Sequence, residues 1–256
     1  MYQILQYIKF LRQSTNQHGV HSPFVFDLVT KCFYDKTDYQ DYKKLKFYRD
    51  KLLKNNQNMQ VSDFGSGSRV FNSDERKVSK IARNSGTPLK RMKLLYRLVD
   101  YFKPNKSLEL GTSLGSATSA MALGNPNNQI TSIEGCSNTL ELARKQLQSL
   151  HIDHVELINN KFESAVPTLA NQTFDFIFFD GHHSKKATLS YFEELLRTAH
   201  NDSIFIFDDI YWSKEMTEAW QTIKKHPRVT VSVDIFFWGL VFFRKEQAEE
   251  HFKIRM

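Results

Sequence analysis

The sequence contains little cysteine and no long apolar run. Its 256 residues include only two cysteines, Cys32 and Cys136, which are too few for a disulfide framework and lack the spacing of metal ligands. No apolar run approaches the ~20 residues of a membrane-spanning helix. The segment Met1–Gln13 lacks the long apolar stretch and the small-residue cleavage site of a secretory signal. We therefore expect a cytoplasmic protein without a membrane span.

Acidic residues are in the minority, with 28 Asp and Glu against 35 Lys and Arg and a formal net charge of +7 at pH 7. A basic surface attracts phosphates and anionic lipids, which keeps a nucleic-acid partner open. The Lys and Arg residues are spread along the whole chain, however, and this distribution favours an ordinary solvated surface. The apolar share of 41% is enough for a packed core.

Residues 1–86 are predicted to form a mainly helical extension. Apolar residues within Ile4–Leu11 recur at helical spacing, and Ser22 followed by Pro23 is typical of a helix start. Residues 35–60 are polar with little sustained periodicity, which indicates solvated helix and loop. We expect this extension to act as a lid, to contact substrate or to form a dimer.

Residues 87–256 are predicted to form an α/β domain. Strands and helices alternate from residue 107 onward. The segment Phe174–Asp180 is apolar at nearly every residue, as is typical of a strand buried on both faces. The last two β-rich runs are too close in sequence to have a helix between them. The predicted sheet is therefore mostly parallel, with one antiparallel strand.

A glycine-containing turn follows the first strand of this domain and opens a helix. It reads Glu109-x-Gly111-x-x-x-Gly115, and Glu134 ends the next strand. Glycines let the backbone N–H groups of such a turn approach a ligand closely, and an acid at the end of the second strand is placed to accept ribose hydroxyls. The order of strand, turn, helix, strand and acid predicts a binding site for a nucleoside-containing cofactor.

S-adenosylmethionine (SAM) fits this turn better than a dinucleotide does. Ser113 stands where dinucleotide-binding turns carry the glycine that makes room for pyrophosphate. SAM has no phosphate, and the carboxylate of Glu109 would favour its ammonium group but would repel pyrophosphate. The similar segment Asp63–Ser68 follows a polar stretch rather than an apolar strand, so we interpret it as a flexible basic loop.

Three aspartates and two histidines follow the fourth and fifth strands: Asp180, His182, His183, Asp208 and Asp209. The carboxyl ends of neighbouring parallel strands meet at one edge of a sheet, where three carboxylates repel one another unless a cation compensates. A divalent ion such as Mg²⁺ prefers such ligands. The alternative is that Asp180 polarises the cofactor pocket while Asp208 or Asp209 caps a helix. Either histidine is a candidate general base for a hydroxyl, and His183 is also a candidate ion ligand.

These motifs resemble those of class I SAM-dependent methyltransferases. Within that class they are most similar to the metal-dependent small-molecule O-methyltransferases of the catechol, caffeoyl-CoA and macrolide-sugar kinds. The resemblance covers roughly residues 105–245 and is carried by LELGTSLGSAT, SIEG, FDFIFFDGHH and FDDIYWS. It implies a Rossmann-like seven-stranded sheet of order 3-2-1-4-5-7-6 with the last strand antiparallel. It also implies transfer of the SAM methyl group to a hydroxyl of a small molecule, with help from a divalent metal.

The resemblance assigns roles to individual residues. Trp212, three residues after Asp209, is implied to contact substrate, and Asp180, Asp208 and Asp209 are implied to hold the metal. The chain departs from the family at His182, where relatives often have an acid, and at Lys161, where many have an acid near the adenine. The implied cofactor-binding residues are Glu109, Gly111, Thr112, Ser113, Gly115, Glu134, Gly135, Lys161, Phe162 and Asp180.

Two alternatives to a small-molecule enzyme stay open. The net charge and the basic segment 76–93 suggest a nucleic-acid (RNA) methyltransferase, although base-methylating enzymes commonly carry Asn/Asp-Pro-Pro-Tyr where this chain has Asp-Gly-His-His. The other alternative is a non-catalytic SAM-binding protein, against which the intact set of aspartates argues. A homodimer formed through the N-terminal helices is a further expectation.

Overall fold

The computed structural model describes residues 1–62 and 73–256. The predicted loop Asp63–Ser68 lies outside the described residues. Within the described chain the helices are α1 (Tyr2–Gln13), α2 (Pro23–Leu28), α3 (Asp41–Lys54), α4 (Val78–Asn84), α5 (Leu89–Phe102), α6 (Ser116–Gly124), α7 (Ser137–Gln148), α8 (Phe162–Leu169), α9 (Lys185–Leu196) and α10 (Lys214–Ile223), with a 3₁₀ turn at Gln17–Gly19 and a π-helical turn at Val29–Phe33.

The strands follow the alternation that the sequence predicts and add several short ones. They are β1 (Asn58–Gln60), β2 (Glu75–Lys77), β3 (Lys106–Leu110), β4 (Gln129–Glu134), β5 (Val155–Asn159), β6 (Phe176–Phe179), β7 (Ile204–Asp208), β8 (Val231–Asp234), β9 (Trp238–Phe242) and β10 (Glu250–Lys253).

The chain divides into two compact units. One consists of residues 36–165, and the other joins residues 1–35 to residues 166–256. The predicted functional division, with an extension over 1–86 and a cofactor domain over 87–256, stays a prediction.

In the unit of residues 36–165, three parallel strands lie in the order β3-β4-β5. Leu108 pairs with Thr131, and Ile133 pairs with Ile158. This arrangement confirms the predicted order 3-2-1. Because β3 and β4 run in the same direction, the glycine turn after β3 and Glu134 at the end of β4 come to the same edge. A separate antiparallel pair, β1 with β2, lies in the same unit.

Helix α3 of this unit differs from the sequence-based expectation of solvated helix and loop. Its residues Tyr42, Leu45, Tyr48 and Leu52 recur every three or four positions, and all four are buried. The numerous lysines of the segment hid this stripe in the sequence. The helix therefore packs one apolar face inward.

The other unit carries five strands in the order β6-β7-β9-β8-β10. Strands β6 and β7 are parallel, whereas β9 runs antiparallel to both β7 and β8. The predicted order 4-5-7-6 is thus confirmed, with β9 as the expected antiparallel strand. Strand β10 pairs in parallel with β8 and is an eighth strand that the polar sequence Glu250–Lys253 did not reveal.

Three helices of this unit, α2, α9 and α10, begin after a serine whose side chain caps the helix. The side chain of Ser22 accepts a hydrogen bond from the backbone N–H of Val25, which confirms the predicted cap before Pro23.

Helix α1 leaves apolar side chains on the surface: Ile4 is 66% exposed and Ile8 is 42% exposed. The apolar spacing of α1 predicted the helix correctly but not which of its faces is buried.

Among the described residues, no helix combines the length and the apolar character needed to cross a membrane.

Candidate active site

The turn between β3 and α6, residues Gly111–Gly115, has an unusual backbone and is called the cofactor turn below. Gly111 has φ 108°, Ser113 has φ 47° and Gly115 has φ 74°. Positive φ angles are costly for most side chains but not for glycine, which explains the two glycines of the motif. The local sequence thus forms a tight turn at the end of β3, in which Ser113 is half-buried and the other four residues are buried.

Hydrogen bonds within the backbone fix this turn to β4. The N–H of Gly111 donates to the carbonyl of Ile133 at 2.9 Å, and the N–H of Thr112 donates to the same oxygen at 3.3 Å. The N–H of Gly115 donates to the carbonyl of Thr112 at 2.8 Å. The turn is therefore tied to the neighbouring strand at its start and closed on itself at its end.

Glu134 connects the cofactor turn to the next helix. Its Oε2 accepts the N–H of Ser113 at 2.8 Å, and its Oε1 accepts the N–H of Cys136, the residue before α7, at 2.8 Å. The side chain is only half-buried. Because each carboxylate oxygen accepts more than one hydrogen bond, these contacts are compatible with the predicted acceptance of ribose hydroxyls.

Glu109 lies beneath the turn rather than on its surface. The side chain is fully buried, and its Oε2 accepts hydrogen bonds from Thr118 of α6 and Ser132 of β4, each at 2.5 Å. Burial and, to a smaller extent, the charge of Glu134 raise the pKa of Glu109 to about 7, against the lowering effect of the two hydroxyls. Oε1 of Glu109 has no hydrogen-bond partner among residues 1–62 and 73–256. The predicted contact of Glu109 with the ammonium group of SAM stays a prediction.

The last residue of β5 and the loop after it are attached to the end of β4. In the loop, the backbone N–H of Asn160 donates to the carbonyl of Glu134 at 3.1 Å. The side-chain amide of Asn159 donates to the carbonyls of Glu134 at 2.8 Å and Gly135 at 3.1 Å. Lys161 is exposed and Phe162 is half-buried. Within this unit the structure therefore brings the backbone of Glu134 and Gly135 next to the residues before Lys161, and the cofactor-binding roles of Gly135, Lys161 and Phe162 stay predictions.

In the other unit, Asp180 and Asp208 come to the same sheet edge. The parallel strands β6 and β7 pair Phe179 with Phe207, and each aspartate is the next residue along its strand. Asp209 has φ 53°, and its N–H donates to the carbonyl of Phe237 at 2.9 Å. The predicted convergence of these acids on one edge is consistent with the strand pairing.

The two histidines occupy a strained loop at this edge. His182 has φ 68° and His183 has φ 36°, and both side chains are half-buried. Nδ1 of His182 lies 3.5 Å from the hydroxyl oxygen of Ser184, and its ring meets the ring of Tyr191 edge-on at 6.1 Å between centroids. Unusual backbone conformations of non-glycine residues cluster at functional sites. Both imidazoles are partly accessible, as a general base must be.

The predicted substrate contact Trp212 belongs to the loop after β7. Its N–H donates to the carbonyl of Asp209 at 2.8 Å, and its side chain is half-buried. The turn that includes Trp212 therefore starts from one of the predicted metal ligands.

Residues 1–62 and 73–256 contain no group of three His, Cys, Asp or Glu side chains placed to hold a metal ion together. Mg²⁺ often takes only one or two carboxylates and fills its remaining positions with water and substrate. The side chains of Asp180, Asp208 and Asp209 are carboxylates, the type of ligand that Mg²⁺ prefers, and their role as metal ligands stays a prediction.

Sequence reasoning missed three residues that support the cofactor turn. Thr118 and Ser132 hold Glu109, and the hydroxyl of Tyr48 on α3 donates to the carbonyl of Leu114 at 2.8 Å. The buried stripe of α3 was the signal that could have revealed Tyr48. Hydroxyl residues such as Thr118 and Ser132 carry no comparable signal.

Comparison with known proteins agrees with this geometry. Residues 108–210 match the family described as "Methyltransferase domain". Catechol O-methyltransferase of Mycobacterium tuberculosis (strain ATCC 25618 / H37Rv) is 28% identical over 120 residues, which are 46% of this chain and 54% of the relative. The match thus spans about half the length of that curated relative.

Solved structures share the fold across most of the chain. A methyltransferase of Podospora anserina with bound S-adenosylhomocysteine (SAH) has a TM-score of 0.63 at 14% identity and covers 88% of this chain and 97% of its own. The O-methyltransferase TomG of Streptomyces achromogenes, in complex with SAM, has a TM-score of 0.58 at 15% identity, with 84% and 95% covered. An O-methyltransferase of Bacillus cereus in complex with SAH has a TM-score of 0.53 at 17% identity, with 86% and 97% covered. The predicted Rossmann-like α/β fold and the resemblance to class I methyltransferases are confirmed.

Proposed function

We propose that this chain, whose residues 108–210 match a methyltransferase domain, transfers the methyl group of SAM to a hydroxyl group of a small molecule. The observation that carries the proposal is the cofactor turn held by the Glu134 carboxylate. It has the positive φ angles of a ligand-binding turn, and an acid at the end of the second strand lies against it. The SAM- and SAH-bound structures of the same fold support the choice of cofactor.

The residues of the turn suit SAM better than a phosphate-containing dinucleotide. Ser113 gives its N–H to Glu134, so this N–H is paired with an acid. A second acid, Glu109, lies buried below. Two carboxyl groups next to the turn disfavour an anionic pyrophosphate and favour a cationic ligand. Gly111, Thr112, Ser113 and Gly115 would hold the methionine part of SAM, and Glu134 would hold the ribose.

When bound, SAM supplies a methyl group on a positively charged sulfur that leaves as the neutral thioether. The chain contributes positioning of the acceptor oxygen, an effect that can reach ~7–11 kcal/mol in well-oriented reactions. His182 or His183 accepts the hydroxyl proton at an imidazole nitrogen as the new O–C bond forms. Trp212 provides a flat apolar side chain for the acceptor.

Finer parts of the proposal rest on the resemblance. A divalent ion held by Asp180, Asp208 and Asp209 would lower the pKa of the hydroxyl and fix its direction. Asp180 would also serve the cofactor side. We also propose that the protein is cytoplasmic and that its acceptor is a small molecule rather than RNA.

A homodimer through the N-terminal helices is a separate proposal. Helix α1 exposes Ile4, Leu5 and Ile8, which is an apolar surface suitable for a second copy. Light scattering after size exclusion measures the mass directly: twice the 30.0 kDa of one chain is expected, and a monomer that persists at high concentration contradicts the proposal.

The function is tested by incubating the purified protein with radiolabelled SAM and a panel of small molecules that carry hydroxyl groups. Label transferred to an oxygen of an acceptor is the expected result. Binding of SAM without transfer to any acceptor, including extracts of the source cell, would favour a non-catalytic SAM-binding protein. Transfer to RNA in place of small molecules would favour the nucleic-acid alternative.

A further inference from the structure

We propose that Tyr48, on helix α3 and outside the matched residues 108–210, is a positioning residue for the cofactor turn. This inference rests on the proposed function. The side chain of Tyr48 is 1% exposed, and its hydroxyl donates to the carbonyl of Leu114 at 2.8 Å. This bond adds a contact from the helical segment before the methyltransferase match to those that Ile133 and Glu134 make with the turn.

The bond fixes one particular peptide plane. The peptide between Leu114 and Gly115 has its carbonyl held by Tyr48 and its N–H held by the carbonyl of Thr112 at 2.8 Å. A peptide held at both ends cannot rotate without breaking two hydrogen bonds. Because Gly115 precedes α6, the same contact also fixes where this helix begins.

The space around Gly115 shows how closely α3 approaches. A Cβ atom at Gly115 would lie 2.4 Å from the hydroxyl oxygen of Tyr48 and 3.2 Å from Cβ of Ala143 on α7. With φ 74°, this position is also unfavourable for any other residue. Glycine at position 115 therefore permits both the left-handed backbone conformation and the close approach of the Tyr48 hydroxyl.

Electrostatics keep the hydroxyl in its donating form. Burial raises the pKa of Tyr48 above its usual value, and the charge of Glu109 raises it further. A neutral phenol is a donor, whereas a phenolate would place a negative charge against the carbonyl of Leu114. The contact is therefore maintained over the whole neutral pH range.

The test compares Tyr48→Phe with a matched control, Tyr96→Phe. Tyr96 lies on α5 of the same unit, is 6% exposed and donates to Asp41, which is not part of the cofactor turn, at 3.4 Å. Each variant loses one tyrosine hydroxyl and its hydrogen bond, which is buried at Tyr48 and partly buried at Tyr96. Tyr48→Phe alone should raise the calorimetric Kd for SAM by about three- to ten-fold, as expected for a lost buried hydrogen bond. Its kcat at saturating SAM should stay within about two-fold, because the reacting groups are unchanged.

A second readout needs no cofactor. Amide hydrogen exchange in peptides covering Gly111–Gly115 should be faster in Tyr48→Phe than in the wild type, and unchanged there in Tyr96→Phe. If Tyr48→Phe has the same SAM affinity as the wild type and the same exchange rates in the cofactor turn, the inference is wrong. If the wild type fails to bind SAM, the proposed function fails, and the exchange of the turn alone then decides whether Tyr48 positions it.

Discussion

The carboxylate of Glu134 accepts the backbone N–H of Ser113 at 2.8 Å, across the gap between two parallel strands. Ser113 has φ 47°, a conformation that few non-glycine residues adopt. The acid thus holds the middle of the cofactor turn, and its second oxygen holds the backbone before α7 through Cys136. One side chain both shapes the turn and presents acceptor oxygens beside it.

Glu134→Gln is expected to weaken SAM binding strongly. The amide removes the charge and turns a donor toward one of the two N–H groups, so a charge-assisted hydrogen bond is replaced by a repulsive contact. Such bonds contribute roughly 1.5–3 kcal/mol, which corresponds to an increase in Kd of about ten- to a hundred-fold. Isothermal titration calorimetry measures the change.

Glu156→Gln is the matched control for that substitution. Glu156 lies on the neighbouring strand β5 and is exposed, and within the described part of the chain it accepts only a long hydrogen bond of 3.3 Å from Thr131. The SAM affinity of Glu156→Gln should equal that of the wild type. An affinity of Glu134→Gln that also equals the wild type would exclude Glu134 from the binding site.

Glu109 should give the unfolding free energy a distinctive pH dependence. Its pKa rises from 4.5 in a model compound to about 7 in the folded protein, chiefly because of burial. The folded state therefore holds a proton that the unfolded state releases between these two values. The contribution of Glu109 to stability is most favourable below pH 4.5 and declines as the pH rises to about 7.

Glu109→Gln removes this dependence. The difference in Tm between Glu109→Gln and the wild type should therefore shift in favour of the variant on going from pH 5 to pH 8, measured by circular dichroism at constant ionic strength. The exposed Glu156→Gln should show no such trend. A difference for Glu109→Gln that does not change with pH would mean that its carboxyl titrates normally.

His182 and His183 are expected to matter for turnover but not for cofactor binding. Loss of a general base lowers rates by about 10²–10⁴-fold. We expect His182→Gln or His183→Gln to lower kcat by this order while leaving the Kd for SAM unchanged. His18→Gln, which changes an exposed histidine of the N-terminal 3₁₀ turn, is the control. Full kcat in both single variants and in the double variant would remove the histidines from the mechanism.

Removal of divalent ions by chelation tests whether turnover requires the proposed metal. Exhaustive treatment with EDTA is expected to lower turnover, and added Mg²⁺ is expected to restore it. Asp180→Asn and Asp208→Asn should weaken the dependence on Mg²⁺ concentration. Full turnover in EDTA would show that the reaction proceeds without a divalent ion, and the histidine mechanism would then stand alone.

The sequence predicted the parts of the site that depend on strand order. Gly111, Gly115 and Glu134 were found because a turn after one strand and an acid at the end of the next must share an edge. Tyr48 was not found, since its contact joins residues 66 positions apart and depends on how α3 packs. The burial of Glu109 was missed for the same reason: local sequence does not reveal that Thr118 and Ser132 enclose it.

Exposure was harder to predict than secondary structure. The spacing of Ile4 and Ile8 is that of an amphipathic helix, but it cannot say which face of the helix meets the rest of the protein. Conversely, the buried stripe of α3 was concealed by neighbouring lysines, whose long side chains reach solvent from the edges of a packed helix. Both cases are decided by tertiary packing.

A calorimetric titration of the wild-type protein with SAM, and in parallel with NAD⁺, tests the central claim most directly. We expect saturable binding of one SAM per chain, an increase in Kd of about ten- to a hundred-fold in Glu134→Gln, and no measurable binding of NAD⁺. Absence of SAM binding, or tighter binding of NAD⁺ than of SAM, would contradict that claim.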